Sequence, residues 1–160
     1  MTKDLLWAPW RIAYIKGKKQ KGCIFCRGVK NKRNYVIFKT RHAIAMLNIF
    51  PYNNGHVMVS PLRHIRDLGQ LKEAEIVDLF KALDKTRELL NKVLKPQGFN
   101  IGINLGRSAG AGITAHLHVH IVPRWIGDTN FMPALAKTKV ISQSLEELYK
   151  QLKYAHAKSD

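Results

Sequence analysis

The stretch HLHVHIVPRW, His116 to Trp125, sets three of the chain's seven histidines at every second position and follows them with Pro123. In an extended strand successive side chains point to opposite faces, so His116, His118 and His120 share one face and Leu117, Val119 and Ile121 the other. Alternate residues lie about 6.8 Å apart along a strand and the outer pair about 13 Å, too far for one metal to bind all three rings. The three imidazoles therefore have different tasks. A histidine that donates from one ring nitrogen to a backbone carbonyl keeps a lone pair on the other and can act as a nucleophile without a carboxylate partner. His118, the middle ring, has an imidazole on each side to donate to phosphate oxygens, so attack on phosphorus through His118 is the chemistry this pattern suits best. The product would be a phosphoramidate that water or another acceptor can open.

A catalytic zinc on a His-x-His pair is the competing reading. Such a site usually recruits carboxylates, as ligands or as acceptors of the second ring hydrogen. Here no Asp or Glu occurs between Glu88 and Asp128, although Asp67 or Asp128 could fold in. The glycine-rich GRSAGAGITA, just before the histidines, offers backbone N–H groups for an anion. A second constellation is GCIFC, with Cys23 and Cys26 at C-x-x-C spacing as the only cysteines. Three readings compete for it: a redox dithiol, two unremarkable thiols, or half of a four-ligand zinc site completed by histidines such as His42, His56, His64 or His116.

The elements that must hold these residues are legible in outline. YVIF (35–38), AIAML (43–47), HVMVS (56–60), FNIGINL (99–105) and HLHVHIV (116–122) read as five strands, with turn signals at Pro51, Asn53, Asn54 and Gly55. Between the third and fourth strands, Ile76, Leu79, Phe80, Leu83, Leu90 and Leu94 recur at helical spacing over residues 71–94, ended by Pro96 and Gly98. A last helix starts near Ser144, with Glu147 placed for a capping box. This order predicts an α+β fold with a mainly antiparallel sheet, one long helix and a C-terminal helix. At 160 residues a single domain is expected: a basic N-terminal extension over 1–34, a catalytic core over 35–125 and a helical segment over 126–160.

Charge is the unusual feature of the composition, 27 Lys and Arg against 11 Asp and Glu. Residues 1–41 carry twelve basic residues against Asp4 alone. A basic field concentrates polyanions, so nucleotides, polyphosphates and nucleic acid are all admissible partners. A nucleic-acid-binding module is the reading from a different class, but the basic residues are not interleaved with aromatics as a base-stacking platform requires. The apolar LLWAPWRIAYI (5–15) must bury itself on its own domain or a second subunit. No signal peptide is recognisable and no apolar run approaches the roughly 20 residues of a membrane helix, so a cytoplasmic protein is expected.

HLHVHIVP matches the His-x-His-x-His-x-x-Pro pattern of the histidine-triad (HIT) superfamily, and the chain resembles that family from about Tyr35 to Trp125. LNIFPYNNGHVMVSPLRHI (47–65) is similar to the family's upstream strand pair, and INLGRSAGAG to its phosphate loop. The opening WAPWRIAYI and closing VPRW most resemble the fragile-histidine branch, the diadenosine polyphosphate hydrolases and phosphorylases. The resemblance implies a HIT-like five-stranded fold and cleavage at the α-phosphate through a nucleotidyl-histidine intermediate. His118 would be the nucleophile, His120 a donor to the phosphate, the His116 carbonyl the orienter of His118, and His56 a support of the triad network. Asn48 would contact ribose, Asn104 the phosphate and leaving group, and Ser108 with the loop amides, Gly110 and Gly112 among them, phosphate oxygens. Trp125, and Trp7 or Trp10, are candidates for a base or leaving-nucleotide pocket, with core or interface packing as the competing reading. Branches of the superfamily bind structural zinc through residues matching Cys23, Cys26, His64 and His116, and the resemblance also implies a homodimer. The loop departs from the family pattern: Gly112-Ile113-Thr114 stands where Gly-Gln-Ser or Gly-Gln-Thr is common, a change compatible with phosphate in place of water as acceptor. A phosphoramidate hydrolase or another nucleotidyltransferase of the superfamily differs only in its leaving group.

Overall fold

The computed structural model describes residues 22–30, 35–129 and 141–159. LLWAPWRIAYI, with Trp7 and Trp10, and residues 16–21 of the basic KGKKQKG lie outside them. Helix α1 covers Ile24–Lys30, and strands β1 (Val36–Lys39), β2 (Ala43–Leu47) and β3 (Val57–Pro61) follow. After a 3₁₀ turn, Leu68–Gln70, come the long helix α2 (Glu73–Leu94), strands β4 (Gly98–Ile103) and β5 (Val119–Arg124), and helix α3 (Leu145–Ala157). The five strands form one sheet in the order β1-β2-β3-β5-β4, every neighbouring pair antiparallel. This is the α+β architecture expected.

The alternation of each central strand divides its side chains between two covered faces. Ala43, Ala45 and Leu47 of β2, Val57 and Val59 of β3, and Val119 and Ile121 of β5 pack beneath Leu79, Leu83 and Leu90 of α2 and Leu148 and Leu152 of α3. Met46 and Met58 point the other way and pack on Phe25 of α1. Every residue of β2 and β3 is buried, so AIAML and VMVSP show no apolar–polar alternation, and Ser60 is the one polar side chain in them. α2 starts where the Glu75 carboxylate accepts from the Lys72 amide and pairs with Arg63, and it ends at Lys95 in the left-handed region. At α3, Ser144 Oγ accepts from the Glu147 amide as the sequence predicts.

Two expectations are corrected. Ile76 and Phe80 do not join the buried stripe of α2; they are 42% and 67% exposed. The buried stripe runs instead through Leu79, Ala82, Leu83, Thr86, Leu89 and Leu90, which puts Ile76 and Phe80 at its margin. The histidine strand also starts later, at Val119. The ladder with β3 ends at Val59↔Val119, because Pro61 has no N–H to extend it. The chain at Leu117 is held by other means: its amide donates to the Ile65 carbonyl and its carbonyl accepts from Ser60 Oγ.

Candidate active site

His118 and His120 lie on the sheet face that carries α1, at the start of β5. His118 Nδ1 is 2.8 Å from the His116 carbonyl. A carbonyl only accepts, so Nδ1 carries the hydrogen and Nε2 the lone pair. Phe25 of α1 packs against both the His116 and His118 rings, with centroids 5.1 Å away in each case. The His118 and His120 rings meet edge to face at 4.8 Å. Behind them His56, fully buried at the start of β3, places Nε2 2.8 Å from His120 Nδ1. Gly55 delivers His56 to that position: its φ is +76°, and a Cβ there would lie 2.5 Å from Leu94 and 3.0 Å from Pro123.

Burial dominates the electrostatics. It pushes His56 down to about 3 and His120 down to about 4, with the neighbouring imidazoles adding to both effects. His118 is also lowered by burial, against a smaller opposing effect of its hydrogen bond to the His116 carbonyl. At neutral pH the rings are uncharged and the His118 lone pair is available. His120 Nε2 is buried with no hydrogen-bond partner among the described residues.

The sites expected around the histidines are brought together unevenly. The β4–β5 register ends at Ile103↔Val119, so its next step sets half-buried Asn104 across from His118. A cavity of about 390 Å³ adjoins this edge, lined by Arg66, Asn104, Gly106, Thr114 and His116 among others. A slightly larger depression of about 440 Å³ at Arg41, His42, Asp78 and Lys81 contains none of the triad. Ser108, Gly110 and Gly112 are in the exposed turn after β4, where the amides of Gly110 and Ala111 donate to the Arg107 and Gly106 carbonyls. Asn48 is buried beside His56 and turns both side-chain heteroatoms inward. Trp125 follows the far end of β5, about 23 Å of extended backbone from His118, so one chain does not bring the two together. Asp128, one of the carboxylates available to a catalytic metal, instead braces that far turn through Arg124, Asn53 and the Trp125 amide, while Asp67 pairs with Arg66.

The cysteine pair has a clear setting. Cys23 and Cys26, at the start of α1, lie with His64 and His116 so that all four ligand atoms are within 4.8 Å of one another. Cys23 Sγ is 3.1 Å and Cys26 Sγ 3.7 Å from His116 Nδ1, and Cys26 Sγ is 3.3 Å from His64 Nδ1. His116 Nε2 donates to the Pro61 carbonyl at 2.9 Å, which leaves its Nδ1 lone pair facing the thiols. Two thiols and two imidazoles at these separations match a tetrahedral Cys₂His₂ zinc site, backed by the outer hydrogen bond that ligating histidines make. Sequence reasoning missed Phe25, Ser60, Tyr52 and the Pro61 carbonyl. Phe25, an aromatic inside CIFC, was the one with a visible signal.

The sheet thus sets a buried imidazole of fixed tautomer beside a Cys/His cluster. Residues 29–125 match the HIT domain, and the chain belongs to the HIT family. It is 35% identical over 153 residues to the AP-4-A phosphorylase of Mycobacterium tuberculosis, covering 89% of this chain and 78% of that protein. Over 89 residues it is 38% identical to the asymmetrical bis(5'-nucleosyl)-tetraphosphatase of Schizosaccharomyces pombe, 56% of this chain and 48% of that one. Among solved structures, a Zn-bound histidine triad family protein from Mycobacterium smegmatis superposes with a TM-score of 0.70 at 27% identity, covering 87% of this chain and 96% of that one.

Proposed function

We propose that the protein cleaves dinucleoside polyphosphates, such as diadenosine tri- or tetraphosphate, at the α-phosphate through a nucleotidyl-His118 intermediate. The observation that carries this reading is the fixed His118 tautomer, with Nδ1–H on the His116 carbonyl and a free Nε2 beside His120. In the first step His118 Nε2 bonds to the α-phosphorus, and the P–O bond to the remaining nucleoside polyphosphate breaks. His120 Nε2–H donates to a phosphate oxygen as charge develops there. In the second step an acceptor oxygen bonds to phosphorus, the P–N bond breaks, and a proton leaves the acceptor. Asn104, one residue beyond the Ile103↔Val119 pair, would hold phosphate oxygens or the leaving group. The names of the M. tuberculosis and S. pombe relatives support this substrate class, the first with phosphate as acceptor.

Zinc held by Cys23, Cys26, His64 and His116 belongs to the same proposal. When bound it would supply a structural clamp between α1 and the segment leading into β5. A homodimer along β4 is proposed as well: β4 is an edge strand whose Ile101 and Ile103 are exposed. No described helix is long and apolar enough to cross a membrane, and a cytoplasmic location accords with the reduced thiols that metal binding requires.

Incubation with diadenosine tri- and tetraphosphate, with and without inorganic phosphate, tests the reading by its products. ADP formed only with phosphate identifies a phosphorylase, and AMP formed without it a hydrolase. Turnover of AMP phosphoramidates but of neither dinucleotide overturns the substrate assignment.

A further inference from the structure

The loop between β2 and β3 wraps the His56 ring with unambiguous donors. The Tyr52 backbone amide is 3.0 Å from His56 Nδ1. The Asn48 side chain has its orientation fixed from the other end, since its Oδ1 accepts from the Phe50 amide at 2.9 Å. Its Nδ2 therefore faces His56 Nδ1, 3.3 Å away, as a second donor. With two N–H groups aimed at it, Nδ1 is an acceptor and the ring hydrogen is on Nε2. Nε2–H then donates to His120 Nδ1 at 2.8 Å, which forces the hydrogen of His120 onto its own Nε2. That is the buried nitrogen with no partner among the described residues. The Tyr52 ring lies against both imidazoles, with centroids 4.5 Å from His56 and 5.6 Å from His120, and holds the pair in register.

We propose that Asn48 is a positioning residue that, with the Tyr52 amide, dictates the tautomer of His120 through His56, so that His120 offers the substrate a donor. This role rests on the nucleotidyl-transfer reading and goes beyond the ribose contact that the family resemblance implies for Asn48. A ribose contact alone acts on substrate binding. Setting a tautomer acts on the transition state, because a His120 with its hydrogen on Nδ1 would turn a lone pair toward the phosphate oxygens.

The proposal predicts an unusual rank order. Asn48→Asp preserves size and the acceptor for Phe50, but puts an oxygen where Nδ2 stood, and this oxygen draws a hydrogen onto His56 Nδ1. Asn48→Ala removes one donor and leaves the Tyr52 amide in place. The isosteric Asp variant is therefore expected to lose about a hundredfold in kcat, more than the truncated Ala variant, with KM changed less than kcat in both. A packing role would give the opposite order. Long-range ¹H–¹⁵N correlation spectra of histidine-labelled protein without substrate read the tautomers directly, so they report whatever the true substrate proves to be. Nε2–H tautomers for both His56 and His120 in the unmodified protein, and a shift of hydrogen onto His56 Nδ1 in Asn48→Asp, are expected. An Nδ1–H tautomer of His120 in the unmodified protein overturns the proposal, as does an Asp variant at least as active as the Ala variant, or a rise in KM alone. Should Asn48→Asp not fold, the spectra of the unmodified protein decide. Failure to turn over any dinucleotide, with the tautomers as expected, counts against the substrate class and leaves the Asn48 assignment standing.

Discussion

Acidification should unfold this protein through its buried imidazoles before its carboxylates are involved. His56 is fully buried and is pushed from the ordinary 6.5 down to about 3 by desolvation and by its histidine neighbours. The folded state therefore keeps the ring neutral where the unfolded chain takes up a proton. The stability this contributes is fully present above pH 6.5 and drains away as pH falls toward 3. The slope is about 1.4 kcal/mol per pH unit for one proton, so His56 alone accounts for about 2 kcal/mol between pH 7.5 and pH 5. His120, lowered to about 4 by its burial and by His118, acts in the same direction over the same window. Glu75, held at about 2 by Arg63, loses its contribution only as pH falls below the ordinary 4.5, outside this window. Urea denaturation at pH 7.5, 6 and 5 measures the loss, and the same series on His56→Gln isolates the share of one ring from metal release and the other histidines. The variant's curve of stability against pH should be flatter by about one proton. Parallel curves for the two proteins would refute the assignment of a buried neutral His56.

Metal analysis of the purified protein should find one zinc per chain. Chelation should lower Tm, by the equivalent of about 2.7 kcal/mol where free zinc had stood at a hundred times its Kd, and Cys26→Ser should weaken retention of the metal. Gly55→Ala should cost about 2–4 kcal/mol in urea denaturation, combining a left-handed φ with overpacking against Leu94 and Pro123.

The fold was legible because its strands and long helix announce themselves by period and by Pro and Gly boundaries. The different settings of His116 and His118 were legible because alternate residues of an extended segment share a face yet lie about 6.8 Å apart. What escaped depends on which neighbour covers each face. Ile76 and Phe80 have the spacing of core residues, but the axis of α2 puts them at the edge of the contact. The extended HLH reads as strand, yet Pro61 withholds the amide a longer ladder needs, and side chains secure the segment instead. Asn48 and Tyr52 were beyond sequence reasoning because their task depends on the path of a nine-residue loop around one imidazole. The Cys/His cluster was legible only with the family resemblance: C-x-x-C spacing by itself leaves His42, His56, His64 and His116 open as partners, the resemblance picks out His64 and His116, and α1 carries both thiols to those two rings.

The most direct test of the central claim is rapid quenching of the protein with diadenosine tetraphosphate under alkaline conditions, which preserve a phosphoramidate, followed by peptide mass spectrometry. One nucleoside monophosphoryl group is expected on the peptide containing His118, attached at that residue, with both adduct and turnover lost in His118→Ala. Undiminished turnover by His118→Ala, or an adduct on any other residue, would contradict it.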